Sequence, residues 1–227
     1  MTDGPGTDAA IDGPPGTVTG TALSHTLYIN AEGVTLVPGS DDATMNKMST
    51  ISSSHAAVKW LANDAQRTTK IANLVTQVQA TLAPYNVSIV STRPAAGPYD
   101  MLVITDSTAQ SFGLGAGAGG LLSLSCNTIP SAVAMLFGPS YSSFTDVQLR
   151  NTFASYAIAG FAIQAGLPQS KKDQDCMCYT DNSCGTLTGA CTIGGANTPV
   201  WTPDPCGFSG STMDEAAQFL GAWGPHL

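Results

Sequence analysis

The chain has 227 residues, enough for one large domain or one domain with a small appendage around a core of ordinary size. Only 11% of residues are charged and the net charge is −8, which excludes the electrostatic attraction that nucleic acid or an anionic membrane surface requires. No apolar run approaches the roughly 18 residues of a membrane span, so no spanning helix is expected.

The opening stretch, MTDGPGTDAAIDGPPGTVTG, is acidic and rich in Gly, Pro and Thr. Such a composition buries too little apolar surface to offset its ordering entropy, so residues 1–20 are expected to be a disordered leader. No signal peptide is visible at Met1, which fits an export signal already removed. The leader also resembles the soft tether behind the lipid-anchored cysteine of bacterial lipoproteins, although the leader itself contains no cysteine.

TLYINAEGVTLVPG, Thr26 to Gly39, is rich in β-formers and reads as a strand, or as a hairpin turning at Glu32-Gly33. Asp41 to Asp64 has no clear period and reads as polar loop, with a short helix around Ala56 to Leu61. RTTKIANLVTQVQATLAPY carries Ile71, Leu74, Val75, Val78 and Leu82 on one helical face and ends at Pro84. NVSIVSTRP and YDMLVITDS suit adjacent strands of one sheet, although the first could pair elsewhere. FGLGAGAGGLLSLSC holds a literal G-x-G-x-x-G from Gly115 to Gly120. A dinucleotide fingerprint needs a strand just before it and a helix just after; neither is expected here, so this is a glycine loop.

AVAMLFG, Ala132 to Gly138, is a further strand. Asp146 to Gly166 is a second helix, N-capped by Thr145 or Asp146 and apolar nearly all round from Phe153, as an interior helix is. Gly166 stands where a C-cap glycine belongs. TMDEAAQFLGAWG closes the chain as a short amphipathic helix, capped by Ser211 or Thr212. No repeat of 20–50 residues recurs.

Six cysteines are present, Cys126, Cys176, Cys178, Cys184, Cys191 and Cys206, five of them close together near the C-terminus. An even, clustered set in a Gly/Thr/Pro-rich region reads as a disulfide framework formed in an oxidising compartment. The rival is a structural zinc held by four of them, but paired C-x2-C knuckles are missing. The pairing is left open, except that a Cys176–Cys178 bond would be strained.

The element order and the segment from Ala159 to Tyr179 resemble the metzincin metallopeptidases, whose signature is H-E-x-x-H-x-x-G-x-x-H followed by a methionine turn. In the register fixed by Gly166 the chain reads A-G-F-A-I-Q-A-G-L-P-Q. Gly166 and Leu167 match the family's Gly-Leu step, and Met177 and Tyr179 match its Met-x-Tyr turn. The resemblance implies an α/β (α+β) fold: a mixed twisted sheet, two main helices, a Met-turn and a disulfide-rich C-terminal subdomain. Residues 21–169, with the central helix 146–166, would form the N-terminal part. Residues 170–227, with the terminal helix 212–223, would form the rest.

Carried over position by position, the resemblance puts the first zinc histidine at Ala159, the general base at Gly160, the second histidine at Ile163 and the third at Gln169. Three of these side chains have no donor atom and the glutamine amide is a poor zinc ligand, whereas zinc catalysis needs three ligands, a bound water and a base. His25, His55 and His226 include no pair at the i, i+4 spacing that could rebuild a site.

The expectation is therefore an exported, catalytically inactive metallopeptidase-like protein without metal or cofactor. It would act by binding an unknown protein or surface ligand, or as a surface component. An active hydrolase with an unconventional site near Tyr156, Asp173, Asp175 and Tyr179 is the alternative, and an unrelated α/β adhesin or coat component is a third reading. Asp100 and Asp106 flank a strand without a paired partner, Cys126 has no histidine partner, and Asn86 heads an N-V-S sequon that matters only in a eukaryotic secretory pathway.

Overall fold

The computed structural model describes residues 23–123, 128–178, 187–201, 208 and 210–226. The leader 1–20, Cys126, Tyr179, Cys184 and Cys206 lie outside them. In chain order the strands are β1 (Thr26–Asn30), β2 (Val34–Pro38), β3 (Lys47–Met48), β4 (His55–Ala57), β5 (Ser88–Val90), β6 (Asp100–Thr105), β7 (Gly120–Leu122), β8 (Val133–Phe137), β9 (Thr198–Pro199) and β10 (Thr212–Met213). The helices are α1 (Arg67–Leu82), α2 (Asp146–Gln164) and α3 (Glu215–Trp223). The fold is mixed α/β.

A five-stranded sheet in the order β5-β1-β6-β8-β7 forms the centre. Four strands are parallel and β7 is an antiparallel edge strand. β6 and β8 are buried at every position, the near-continuous apolar run expected of parallel strands covered on both faces. The two-residue alternation divides them between two cores. Leu27, Ile29, Leu102, Ile104, Ala134 and Leu136 face the cluster that includes α1 and α2. Tyr28, Met101, Val103, Val133, Met135 and Phe137 face a second cluster closed by Leu36, Met48, Ile51 and Ala57.

That second cover is a three-stranded sheet, β3-β2-β4, which overturns two expectations. Thr26 to Gly39 is not a hairpin: β1 enters the large sheet and β2 the small one. Gly33 makes the change of sheet at φ +83, where a Cβ would stand 2.7 Å from the Ala57 carbonyl oxygen. Ala56 to Leu61 is not a helix either, because pairing of His55–Ala57 with β2 takes the chain into the sheet. β5 and β6 share a sheet without being neighbours, since β1 lies between them.

α1 buries Ile71, Leu74, Val78 and Leu82, the stripe expected from its spacing, and packs on α2. α2 starts at a capping box in which the Thr145 side chain accepts from Gln148 N–H and the Gln148 side chain accepts from Thr145 N–H. Its regular turns end at Gln164, two residues short of the expected boundary, and Gly166 follows at φ +89. Leu167 N–H donates to Ala162 O at 3.0 Å and Gly166 N–H to Ile163 O at 2.8 Å, a Schellman ending.

Beyond Gly166 regular structure is sparse. β9 and β10 form a two-stranded sheet, so α3 begins at Glu215 rather than at residue 212, and its cap is Asp214, which accepts from Ala217 N–H at 3.0 Å. Cys176 is bonded to Cys191 across 15 residues, and Cys178 is also disulfide-bonded. α3 returns to the main core, where Trp223 stacks on Phe161 at 4.7 Å.

Candidate functional site

The four positions where the metzincin register would put zinc ligands and base, and Met177, lie on α2 and the segment after it, and these five are buried. Ala159 is 0% exposed, Ile163 5%, Gln169 7% and Met177 0%; Gly160 is buried as well. Ala159, Ile163 and Met177 belong to one hydrophobic cluster together with the Cys176 and Cys191 sulfurs. Gly160 faces the sheet, for a Cβ placed on it would stand 3.7 Å from the Ala134 Cβ of β8. Polar groups on this stretch are spent on the main chain. Ser155 Oγ donates to Cys176 O at 3.2 Å and Gln164 Nε2 to Val133 O at 3.2 Å. Neither the groove beside Tyr99 nor the cavity lined by Trp60 and Phe153 reaches Ala159, Gly160, Ile163, Gln169 or Met177. No group of three or more His, Cys, Asp or Glu among the described residues could hold a metal ion.

Between α2 and the edge strand β7 the space is taken by tyrosines. The Tyr141 and Tyr156 hydroxyls occupy the places that Cβ atoms on Gly119 and Gly120 would fill. The two glycines let these rings lie directly under the strand. Burial pushes Tyr141 up to about 12, so its hydroxyl stays protonated. The Gly115–Gly120 run lies between a 3-10 turn at Ala109–Phe112 and β7, not between a strand and a helix.

Behind the methionine lies a carboxyl pair. Asp175 and Glu215 are 0% and 1% exposed. Asp175 Oδ1 accepts from Met177 N–H at 2.8 Å, and Glu215 Oε2 accepts from Gly194 N–H at 2.9 Å. The two carboxyls also meet side chain to side chain, where a proton on one bonds the other. Burial, reinforced by the facing Asp175 charge, raises Glu215 to about 9; burial raises Asp175 too. At neutral pH Glu215 therefore holds a proton, so the two carboxyls do not face each other as like charges. Gly194 makes the approach possible, since a Cβ there would meet Thr198 Oγ1 and stand 2.7 Å from Glu215 Oε2 and 2.9 Å from Asp175 Oδ2.

Of the other residues singled out from the sequence, Asp173 is exposed, whereas Asp175 is sealed. Asp100 Oδ1 accepts from Ala132 N–H at 2.8 Å, and burial raises it to about 8; Asp106 caps Leu61 N–H at 2.7 Å. His25 Nδ1 lies 2.7 Å from Asn86 O, and His55 Nε2 lies 2.9 Å from Ser53 Oγ. The sequence places Glu215 within the terminal helix but gives it no site role, and it does not single out Gly194 or Thr198. Nor does it point to an open groove of about 810 Å3 beside Asp41, Asp42, Pro98 and Tyr99, where Arg93 is pinned by Tyr99 Oη, Ala43 O and Asn46 Oδ1, each at 2.7 Å.

Comparison with protein-family models, with curated proteins and with solved structures finds no match for this chain.

Proposed function

We propose that this is an exported, metallopeptidase-like protein without peptidase activity, working by binding or as a surface component. The observation that carries the reading is the chemistry of Ala159, Gly160 and Ile163, which are buried among carbon and offer no donor atom to a zinc ion. Further support comes from the mixed sheet with its antiparallel edge strand, the glycine ending of α2 and the buried Met177 in the α2 cluster. The oxidised Cys176, Cys178 and Cys191 fit an oxidising, extracytoplasmic setting.

An unconventional hydrolase finds less support. Its best acid, Asp175, is 0% exposed and beyond substrate reach, and Asp173 is an exposed surface side chain. Elemental analysis of the purified native protein, followed by incubation with a generic peptide library, tests the proposal. We expect substoichiometric zinc and no cleavage; one zinc per chain together with chelator-sensitive cleavage overturns it.

A further inference from the structure

We propose that the cavity between the first turns of α1 and α2 binds a small carboxylate with a branched apolar body, and that Arg150 is its counter-ion. The site is separate from the buried α2–Met177 region, and its test does not depend on the outcome for zinc.

The cavity has a volume of about 110 Å3. Its inner wall is apolar: Trp60, Leu74 and Phe153 line it, and the Trp60 and Phe153 rings lie 5.4 Å apart. All three belong to the main core, so this wall is held rigidly. Polar side chains ring the rest, among them Asn73 and Arg150. A ligand here meets carbon at one end and polar groups at the other, as small-molecule sites generally arrange it.

The sign of the charge follows from the ion pairs. Lys70, the other cation lining the cavity, is already held at 2.8 Å by both Asp64 and Asp146. Glu32 takes Lys59 at 2.8 Å and Arg67 at 2.9 Å. Arg150 has no such partner among the described residues, and its buried Nε finds no hydrogen-bond acceptor. A carboxylate suits a guanidinium because both are planar and can pair through two N–H donors.

Size restricts the body of the ligand. A cavity of about 150 Å3 takes a benzene ring, so this smaller one takes a branched chain of roughly four carbons. Isovalerate is therefore the probe. Calorimetric titration of the native protein should show saturable binding in the millimolar range or tighter, weakening as salt rises. Isovaleramide, of the same shape but neutral, should bind at least about tenfold more weakly, because it cannot satisfy the cation. Arg150→Met should lower isovalerate affinity by about tenfold or more while Arg150→Lys retains part of it, and Asn73→Trp, at an exposed position on the rim, should block entry. Absence of saturable binding to the native protein, equal affinity for acid and amide, or indifference to Arg150→Met each overturns the proposal. The amide comparison uses the native chain, so it decides even where a variant folds poorly.

Discussion

In the region made by the large sheet, α1 and α2, every residue of β6 and β8 is buried, and two continuous apolar cores lie on either side. From Ser170 onward the described residues offer two strands of two residues and one helix of nine. That second region is fastened by a Cys176–Cys191 bond, a buried carboxyl pair and the Phe161–Trp223 stack. The first gains most of its stability from many interchangeable carbon contacts, which are indifferent to pH and redox state, with the buried Asp100 as an acid among them. The second leans more on a few specific bonds, of which the disulfide answers to redox state and the carboxyl pair to pH. A chain can therefore lose ordering of its C-terminal part under conditions that leave the sheet untouched.

Three measurements break or sharpen this contrast. The largest effect is expected from Phe137→Ala, which empties a fully buried site between Phe112 and the small sheet. It should cost about 3–5 kcal/mol in denaturant unfolding, by a similar amount at acidic and at neutral pH. Removing the Cys176–Cys191 bond by a double serine substitution should cost about 3 kcal/mol, the scale for a loop of this length. Amide exchange should rise first in residues after Ser170 and only later in β6 and β8; simultaneous opening would show that the two regions are one cooperative unit.

The most specific measurement concerns pH. Glu215 binds its proton with a value of about 9 in the fold against 4.5 when unperturbed. Between those values the native state holds more protons than the unfolded chain, so stability is greatest in acid and falls as pH rises toward 9. Asp100, raised to about 8 from 3.8, adds a slope of the same sign within the sheet. Glu215→Gln should flatten the part due to the carboxyl pair and be more stable than the native chain at pH 9, whereas Asp100→Asn should flatten the rest. A stability profile that rises from pH 5 to pH 9 contradicts both assignments.

Much of the first region is legible in the sequence because its signals are periodic. The spacing of Ile71, Leu74, Val78 and Leu82 marks α1, and the apolar run of α2 marks an interior helix before any coordinates are seen. Sheet order is not legible in the same way. Nothing local tells β1 to lie between β5 and β6, because parallel pairing is decided by crossovers and by which faces need covering. The hairpin expected at Glu32-Gly33 fails for the same reason: a turn glycine permits a reversal, but the small sheet offered β2 a partner in β4. At the candidate site the carbon character of Ala159 and Ile163 is written in the sequence. The meeting of Asp175 with Glu215 is not, since it rests on a glycine, Gly194, whose missing side chain leaves room for two oxygens brought from distant segments.

Trp223 Nε1 donates to the Ser24 carbonyl at 3.0 Å, across 199 residues of sequence. Closing a loop of that length carries a large entropic cost before any contact repays it. The indole is therefore expected to dock late in folding, after the α2 ring it stacks on is in place, and with Trp60 and Trp201 replaced by Phe its fluorescence should report the final step of refolding rather than the collapse that precedes it.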